Sequence, residues 1–234
     1  MFPEWKNWRH VVKLDPDKPA DERLIEQVVE SGTDAIVVGG TQNITREKVL
    51  KLFKLLKPYT LPKILEVSTI ESITFGFDGY LIPTVLNAGN PKWIIGAHKE
   101  AVKIAGDLMD WKEILPEGYI ILNPDCAASK LTEALYPLSK HDILAYASCG
   151  EGLFSLPLIY LEYSGSYGDP ELVSYVKHGL DKAKVFYGGG IDNAHKAETM
   201  SRVADTIVVG NMVYTESIKN IKDTVKAAKM VPVT

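Results

Sequence analysis

Short, almost continuously apolar runs recur along the chain and alternate with helix-like segments. The runs are rich in valine and isoleucine, as in AIVVG and TIVVG. Strands of a parallel sheet have this pattern, because helices cover both of their faces. The predicted strands are 10–15, 35–39, 63–67, 79–83, 119–123, 158–162, 184–188 and 206–210.

Helix-like segments follow most of these strands. The predicted helices are 21–31, 46–56, 92–109, 142–152, 170–179, 194–203 and 216–229. The third strand is the exception, because STIESITFGFD is too short and too β-branched for a full helix. Eight strands with intervening helices predict a (β/α)8 (TIM) barrel with an irregular third unit. A doubly wound open sheet is the alternative, and it would need only some of these strands.

Bulk composition narrows the class of protein. No shift of composition and no linker divides the 234 residues, so 1–234 is predicted to be a single domain. A net charge of −4 argues against a binder of nucleic acid. The two cysteines form no disulfide framework, which favours a reduced, cytoplasmic protein. The longest apolar stretch, 153–161, is too short to span a bilayer, so only peripheral, transient membrane contact stays open.

Glycines follow the last three predicted strands, in YSG, YGGG and VGN. Glycine lets the backbone approach a ligand closely, and N–H groups at the start of a helix bind anions. Phosphate sites of barrels recur after strands seven and eight. Gly190 and Gly210 therefore predict a phosphate site, although two tight turns without a ligand would have the same sequence.

Oxygen ligands follow the first two predicted strands. Asp15 and Thr41 are expected to face each other across neighbouring strand ends. Mg²⁺ is usually held by one or two carboxylates together with substrate phosphates, so Asp15 could hold this ion there. The DPD sequence is also typical of a turn and helix start, so a turn without a metal would have the same sequence. Lys13 points to the same side of its strand as Asp15, and a buried lysine needs an anion such as a substrate phosphate.

Glu162 ends an apolar strand and stands between two tyrosines. A buried carboxylate needs a partner or a task. Glu162 is either a general base or a structural partner of Lys13, and the residues alone favour neither.

Small residues form a stripe on one predicted helix. Ala97, Ala101 and Ala105 recur at every fourth position, beside Gly96. The stripe predicts either close packing of the helix on the barrel or a groove for a long apolar ligand.

Taken together, the strand-end motifs resemble one protein family along essentially the whole chain. It is the geranylgeranylglyceryl phosphate synthase family, and the bacterial PcrB-type heptaprenylglyceryl phosphate synthases are the closer branch. The motifs are KLDPDKP, GTDAIVVGGT, LEVSTIESI, GFDGYLIPTVLNAGNPKWIIGAH, EGYIILNPDCAASKLTEA, YLEYSG, FYGGGI and IVVGN.

The resemblance implies a modified barrel with a degenerate third helix, and a Mg²⁺-dependent enzyme. The implied reaction transfers a long prenyl group from a polyprenyl diphosphate to sn-glycerol 1-phosphate, and the bacterial branch implies heptaprenyl diphosphate as the donor. Lys13 would contact the acceptor phosphate, Asp15 and Thr41 would lie at Mg²⁺ and the diphosphate, and Glu162 would lie at the acceptor hydroxyl. The implied acceptor site comprises Lys13, Tyr160, Leu161, Glu162, Tyr163, Ser164, Gly165, Gly190, Gly210 and Asn211.

The resemblance also bears on chain length and assembly. In archaeal relatives a bulky aromatic residue closes the prenyl groove, and the matching position here is Ala101, which favours a chain longer than geranylgeranyl. A homodimer is implied as well. Two other readings stay open: a sugar-phosphate isomerase or epimerase, with a small phosphorylated substrate and no apolar groove, and a non-enzymatic module that binds polyprenyl lipids or phospholipids.

Overall fold

Eight parallel strands close into a barrel in the computed structural model, which describes residues 4–215 and 218–232. Each strand pairs with the next one in sequence, and the last pairs with the first. The strands are β1 (His10–Leu14), β2 (Ala35–Val38), β3 (Lys63–Glu66), β4 (Gly79–Val85), β5 (Ile114–Ile121), β6 (Leu158–Glu162), β7 (Lys184–Gly188) and β8 (Thr206–Val209). The predicted barrel is confirmed.

Helices surround the barrel, and polar side chains fix where several of them begin. Asp21, Thr45 and Ser139 each accept a hydrogen bond from a backbone N–H of the first turn, which stabilises a helix end. The predicted start of the last helix, Glu216, lies outside the described residues. The helices are α1 (Glu22–Glu30), α2 (Arg46–Leu56), α3 (Gly96–Ala105), α4 (Ala127–Thr132), α5 (Lys140–Gly152), α6 (Pro170–His178), α7 (Ala194–Ser201) and α8 (Ile218–Met230).

The third unit is irregular, as predicted. Between β3 and β4 the structure has only a short 3-10 helix, Ile70–Ser72. The side of the barrel at β3 and β4 therefore lacks the cover that a full helix would give, and α3 lies next to the 3-10 helix there.

Three elements differ from the prediction. β5 begins at Ile114, before the predicted start at 119, and Pro116 and Gly118 lie inside it. A Cβ at Gly118 would lie 2.8 Å from Ile159 Cδ1, so this glycine serves packing and not a turn. The predicted helix 92–109 is shorter, because only α3 is α-helical and 3-10 turns flank it. α4, which Cys126 caps, was not predicted.

Two hydrophobic cores follow from the alternation of side chains along the strands. One lies between the barrel and its helices, and the other fills the barrel interior. Trp5, at 1% exposure, packs on Phe186 in the interior core, with 6.2 Å between ring centroids. Other interior positions are polar or ionisable and build the site described below: Lys13, Glu66, Glu117, Tyr119, Tyr160 and Glu162.

No helix within residues 4–215 and 218–232 combines the length and the apolar character that crossing a membrane requires.

Candidate active site

Two cavities of different character lie side by side at the C-terminal ends of the strands. The first has a volume of about 510 Å³ and is lined by charged residues and glycines. The second has a volume of about 690 Å³ and is lined mainly by apolar side chains. They share the walls formed by Gly40, Thr41, Tyr119 and Ala128. We call them the polar cavity and the apolar cavity.

The polar cavity brings together most of the residues that the sequence singled out. Both of the early strand exits and all of the glycine-rich late exits contribute to its wall. The predicted residues that line it are Lys13, Asp15, Thr41, Tyr160, Glu162, Ser164, Gly165, Gly190, Gly210 and Asn211.

Leu161 and Tyr163 do not line either cavity. Leu161 alternates with its neighbours along β6, so its side chain points outward and is fully buried in the core beneath the helices. Tyr163 packs against Tyr187, with 5.8 Å between ring centroids, under the loop that follows β6. That these two residues help to hold the acceptor stays a prediction, which their backbone groups and not these side chains would have to fulfil.

Glu162 is held by two donors in the wall of the polar cavity. The hydroxyl of Tyr119 and the backbone N–H of Ser164 both donate to its carboxylate. Burial, and next the charge of Glu162, hold the pKa of Tyr119 well above its ordinary value, so the phenol keeps its proton and donates. Glu162 is 4% exposed and lines the polar cavity. It is a fixed carboxylate that a ligand in this cavity can reach.

Lys13 is paired with Glu66 and not with Glu162. Its Nζ donates to both carboxylate oxygens of Glu66, at 2.7 and 2.8 Å. Burial by itself lowers the pKa of Lys13, but the surrounding carboxylates, Glu66 first among them, outweigh burial and raise that pKa above its ordinary value. The ammonium also lies 5.9 Å from the ring centre of Tyr119 and 5.6 Å from that of Tyr160. Lys13 is therefore a cation held against two aromatic rings, and its carboxylate partner is Glu66 and not Glu162.

The glycines after β7 permit a turn that no other residue would allow. Gly189 and Gly190 have φ angles of +154° and +56°. A Cβ on Gly190 would lie 2.4 Å from the backbone nitrogen of Tyr167, so the turn packs directly on the loop after β6. Both glycines line the polar cavity, where backbone N–H groups can approach an anion without an intervening side chain.

Asp15 offers the polar cavity a carboxylate that is only half engaged. Its Oδ1 accepts a hydrogen bond from the backbone N–H of Asp17 at 2.9 Å, and among the described residues no donor contacts its Oδ2. Gly40 lies so close that a Cβ there would be 2.6 Å from Asp15 Oδ1. Asp17 also lines this cavity, but its carboxylate is already paired with Lys48, at 2.5 Å.

These ligands fit a magnesium ion that is completed by a substrate. Mg²⁺ is usually held by one or two carboxylates, waters and substrate phosphates. Asp15 and Thr41 supply one carboxylate and one hydroxyl to the same cavity. Over residues 4–215 and 218–232, no cluster of three or more His, Cys, Asp or Glu could hold a metal without further ligands.

The apolar cavity runs under α3 and is lined by Ala97 and Ala101 of the small-residue stripe. Beyond Ala101 lies a smaller cavity of about 60 Å³, whose wall includes Ala101, Ala105, Leu108 and Phe75. Ala101 belongs to both walls, so a large side chain at this position would separate the smaller cavity from the larger one.

One known family matches nearly the whole chain. The model that describes the PcrB family matches residues 3–229. The chain belongs to the PcrB family. PcrB relatives include the heptaprenylglyceryl phosphate synthase of Geobacillus kaustophilus (strain HTA426), 52% identical over 97% of this chain and 94% of the relative. The enzyme of the same name from Lysinibacillus sphaericus (strain C3-41) is 51% identical over 97% of this chain and 98% of the relative.

A solved structure resembles this PcrB-family barrel closely. It is (S)-3-O-geranylgeranylglyceryl phosphate synthase from Thermoplasma acidophilum in complex with substrate sn-glycerol-1-phosphate, at a TM-score of 0.84 and 27% identity. The match covers 95% of this chain and 93% of that one. The family predicted from the strand-end motifs is confirmed, and the names of its curated members state the activity that the resemblance implied.

No role was predicted from the sequence for Glu66, Tyr119 and Glu117. Glu66 ends β3, and a carboxylate at a strand end could have been recognised as a candidate site residue. Its bond to Lys13 could not be recognised, because that bond depends on strand register. Tyr119 and Glu117 both point into the barrel from β5. Their spacing of two residues would have placed them on one face, but Glu117 lies before the predicted start of the strand.

Proposed function

We propose that this chain is a prenyltransferase that joins a long polyprenyl group, heptaprenyl by the names of its relatives, to glycerol 1-phosphate. The observation that carries the proposal is the shared wall between a polar and an apolar cavity. A phosphorylated acceptor fits the first cavity and a prenyl tail fits the second, so the two reacting groups would meet beside Glu162 and Tyr119. An isomerase of small sugar phosphates has no use for the apolar cavity.

The acceptor phosphate is assigned to the late strand ends. The backbone around Gly190 and Gly210 lines the polar cavity, and Lys13 supplies a positive charge to the same space. We assign sn-glycerol 1-phosphate as the acceptor because the Thermoplasma acidophilum relative was solved with this substrate. Fixing it beside the donor would supply much of the rate enhancement, since proximity replaces a bimolecular encounter.

The diphosphate of the donor is assigned to the early strand ends. Asp15 and Thr41 would hold Mg²⁺ together with diphosphate oxygens, and a bound Mg²⁺ would stabilise the leaving diphosphate. As the allylic C–O bond breaks, its electron pair leaves with the diphosphate. The aromatic face of Tyr119, which belongs to both cavities and already lies near a cation, would favour the positive charge on the prenyl carbon.

Glu162 is assigned as the general base. The acceptor oxygen forms the new bond to the prenyl carbon while its proton passes to the carboxylate of Glu162. The hydrogen bonds from Tyr119 and Ser164 keep this carboxylate in place, so it need not reorganise during the reaction. The products are a prenylglyceryl phosphate ether and diphosphate.

The proposal is tested by incubating the protein with Mg²⁺, radiolabelled sn-glycerol 1-phosphate and prenyl diphosphates from geranyl to heptaprenyl. We expect a labelled lipid and an equal amount of released diphosphate, with the highest yield for the longest donors. A lipid that forms best from geranylgeranyl diphosphate would preserve the reaction but overturn the chain length. Binding of donors without diphosphate release would favour a lipid-binding module instead.

Replacing Asp15 by asparagine is expected to weaken the response to metal. The amide keeps the shape but removes the negative charge that attracts Mg²⁺, so the Mg²⁺ concentration for half-maximal activity should rise by about tenfold or more. Asp17→Asn is the matched control, because Asp17 pairs with Lys48 and should leave the Mg²⁺ titration unchanged. An unaltered titration for Asp15→Asn would remove this residue from the metal site.

We further propose that the protein works as a cytoplasmic homodimer that touches the membrane transiently. Long polyprenyl donors partition into bilayers, and Ile95, Val102, Trp111 and Leu131 are exposed apolar side chains on the wall of the apolar cavity. Co-sedimentation with vesicles tests the membrane contact, and the molar mass in solution tests the dimer. A protein that never binds vesicles would contradict the first proposal, and the mass of a monomer would contradict the second.

A further inference from the structure

Glu117 is a buried acid for which the proposed reaction has no role. Its side chain is fully inaccessible, and neither carboxyl oxygen has a hydrogen-bond partner in the described part of the chain. It points into the barrel from β5, two residues before Tyr119 and on the same face. It therefore lies one layer deeper than the residues that line the polar cavity. A polar group buried without a partner is costly, and such groups are rare in folded proteins.

Other ionisable groups face Glu117 from three sides of the barrel. Lys13 on β1, Glu66 on β3 and Glu162 on β6 lie near enough for their charges to act on its carboxyl, although none of them is hydrogen-bonded to it. The phenols of Tyr119 and Tyr160 lie in the same interior region, and Glu117 acts on the pKa of both. The flanking strands present Pro83 and Leu158 opposite Glu117 in register, so neither neighbour in the sheet offers a polar side chain.

Three carboxyl groups thus compete for one cation. Glu66 uses both oxygens on Lys13, and Glu162 is satisfied by Tyr119 and Ser164. Burial raises the pKa of Glu117 well above its ordinary value, and the charge of Glu66 raises it further against the opposing effect of Lys13. Its surroundings therefore favour the neutral form of Glu117, while Glu66 is the carboxylate that pairs with Lys13.

We propose that Glu117 is a positioning residue: as a neutral acid it leaves Lys13 to Glu66, at the height where the ammonium meets the acceptor phosphate. Once Glu117 loses its proton, it becomes a second carboxylate below Lys13 and draws the ammonium deeper into the barrel. The inference rests on the proposed function, because it takes the acceptor phosphate to be the ligand of Lys13. It adds a residue that acts through Lys13 and touches no substrate itself.

The proposal predicts a specific pH dependence. Glu117 is neutral below its raised pKa and ionised above it, so the effect appears only as the pH rises. In the unmodified protein the KM for glycerol 1-phosphate should rise at alkaline pH by about tenfold, the low end of what one hydrogen bond to a charged group contributes. The glutamine of Glu117→Gln cannot ionise, so this rise should be absent or clearly smaller in the variant.

The experiment measures kcat and KM for the acceptor across a neutral to alkaline series, for the unmodified chain and for Glu117→Gln. Glu113→Gln is the matched control: Glu113 is exposed just before β5, and its replacement should leave the alkaline rise in KM intact. Superimposable KM profiles for the unmodified chain and Glu117→Gln would overturn the proposal. A KM raised at every pH in Glu117→Gln would overturn it too, because the carboxyl would then be needed in another way.

A second measurement needs no turnover and separates this proposal from the proposed function. A buried neutral carboxylic acid gives a carbonyl stretching band that a carboxylate lacks, and infrared difference spectra of the unmodified chain against Glu117→Gln should show it at neutral pH. If the chain makes no prenyl product, this band and the binding of inorganic phosphate still report on Glu117 and Lys13. Absence of the band at neutral pH would overturn the proposal. Glu117→Leu, also unable to ionise, serves as the second variant if glutamine prevents folding.

Discussion

Replacing Glu162 by glutamine is expected to lower kcat by about 100- to 10,000-fold, the usual contribution of a general base. The amide has the size of the carboxylate: its oxygen can accept from the backbone N–H of Ser164, and its NH2 group can donate to the phenol oxygen of Tyr119 once that hydroxyl turns away, so the cavity should keep its shape. It cannot take the proton of the acceptor hydroxyl. The KM for glycerol 1-phosphate should therefore change little, and steady-state kinetics at saturating donor and Mg²⁺ would show the loss in kcat alone.

Tyr119→Phe is the variant to compare with it. This change leaves the carboxylate in place but removes one of its two donors, so we expect a loss of kcat well below that of Glu162→Gln. Full turnover of Glu162→Gln at saturating substrates would show that the acceptor proton goes elsewhere. A loss in Tyr119→Phe as large as in Glu162→Gln would instead assign the essential role to the phenol.

The positions of the strand ends could be predicted from the sequence because a barrel imposes them. In a closed parallel barrel all carboxyl ends of the strands meet at one rim, so Asp15, Glu162 and Gly210 converge although they are far apart in the chain. The alternation of side chains likewise fixed that Lys13 points into the barrel. The alternation of side chains and the barrel topology were therefore sufficient to predict where these residues lie.

The pairing of charges inside the barrel could not be predicted in the same way. Glu66 and Glu162 both end apolar strands, and nothing in the sequence says which of them Lys13 binds. The answer depends on register: Lys13 lies level with Val37, which lies level with Ile64 two residues before Glu66. Leu161 was carried into the predicted site with its motif, although the same alternation turns its side chain outward. Pro116 and Gly118 concealed the first half of β5, and with it Glu117.

The second large effect is expected on the length of the prenyl donor that the enzyme accepts. Replacing Ala101 by tryptophan is expected to lower kcat/KM for heptaprenyl diphosphate by about 100-fold, since losing the burial of only three or four methylene groups costs about 3 kcal/mol. The indole would fill the passage from the apolar cavity to the smaller cavity beyond it, because Ala101 belongs to both walls. Geranylgeranyl diphosphate, which is shorter, should remain a good donor. Competition between the two donors for limiting enzyme measures the ratio directly.

Two further tryptophan variants on the same helix test whether α3 limits the length of the prenyl tail. Ala105 lines only the smaller cavity, so Ala105→Trp should stop chains later than Ala101→Trp does, and the longest accepted donor should differ between the two. Ile104 is 66% exposed and lines neither cavity, so Ile104→Trp places an indole on the same helix outside both cavities and should keep the heptaprenyl preference. Ala105 is buried, and overpacking there costs about 1–3 kcal/mol, so activity with geranylgeranyl diphosphate serves as the internal measure of folded enzyme. An Ala101→Trp enzyme that still prefers heptaprenyl diphosphate would mean that the tail leaves the apolar cavity by another route, over the exposed rim at Trp111 and Leu131, and that α3 does not set the length of the product.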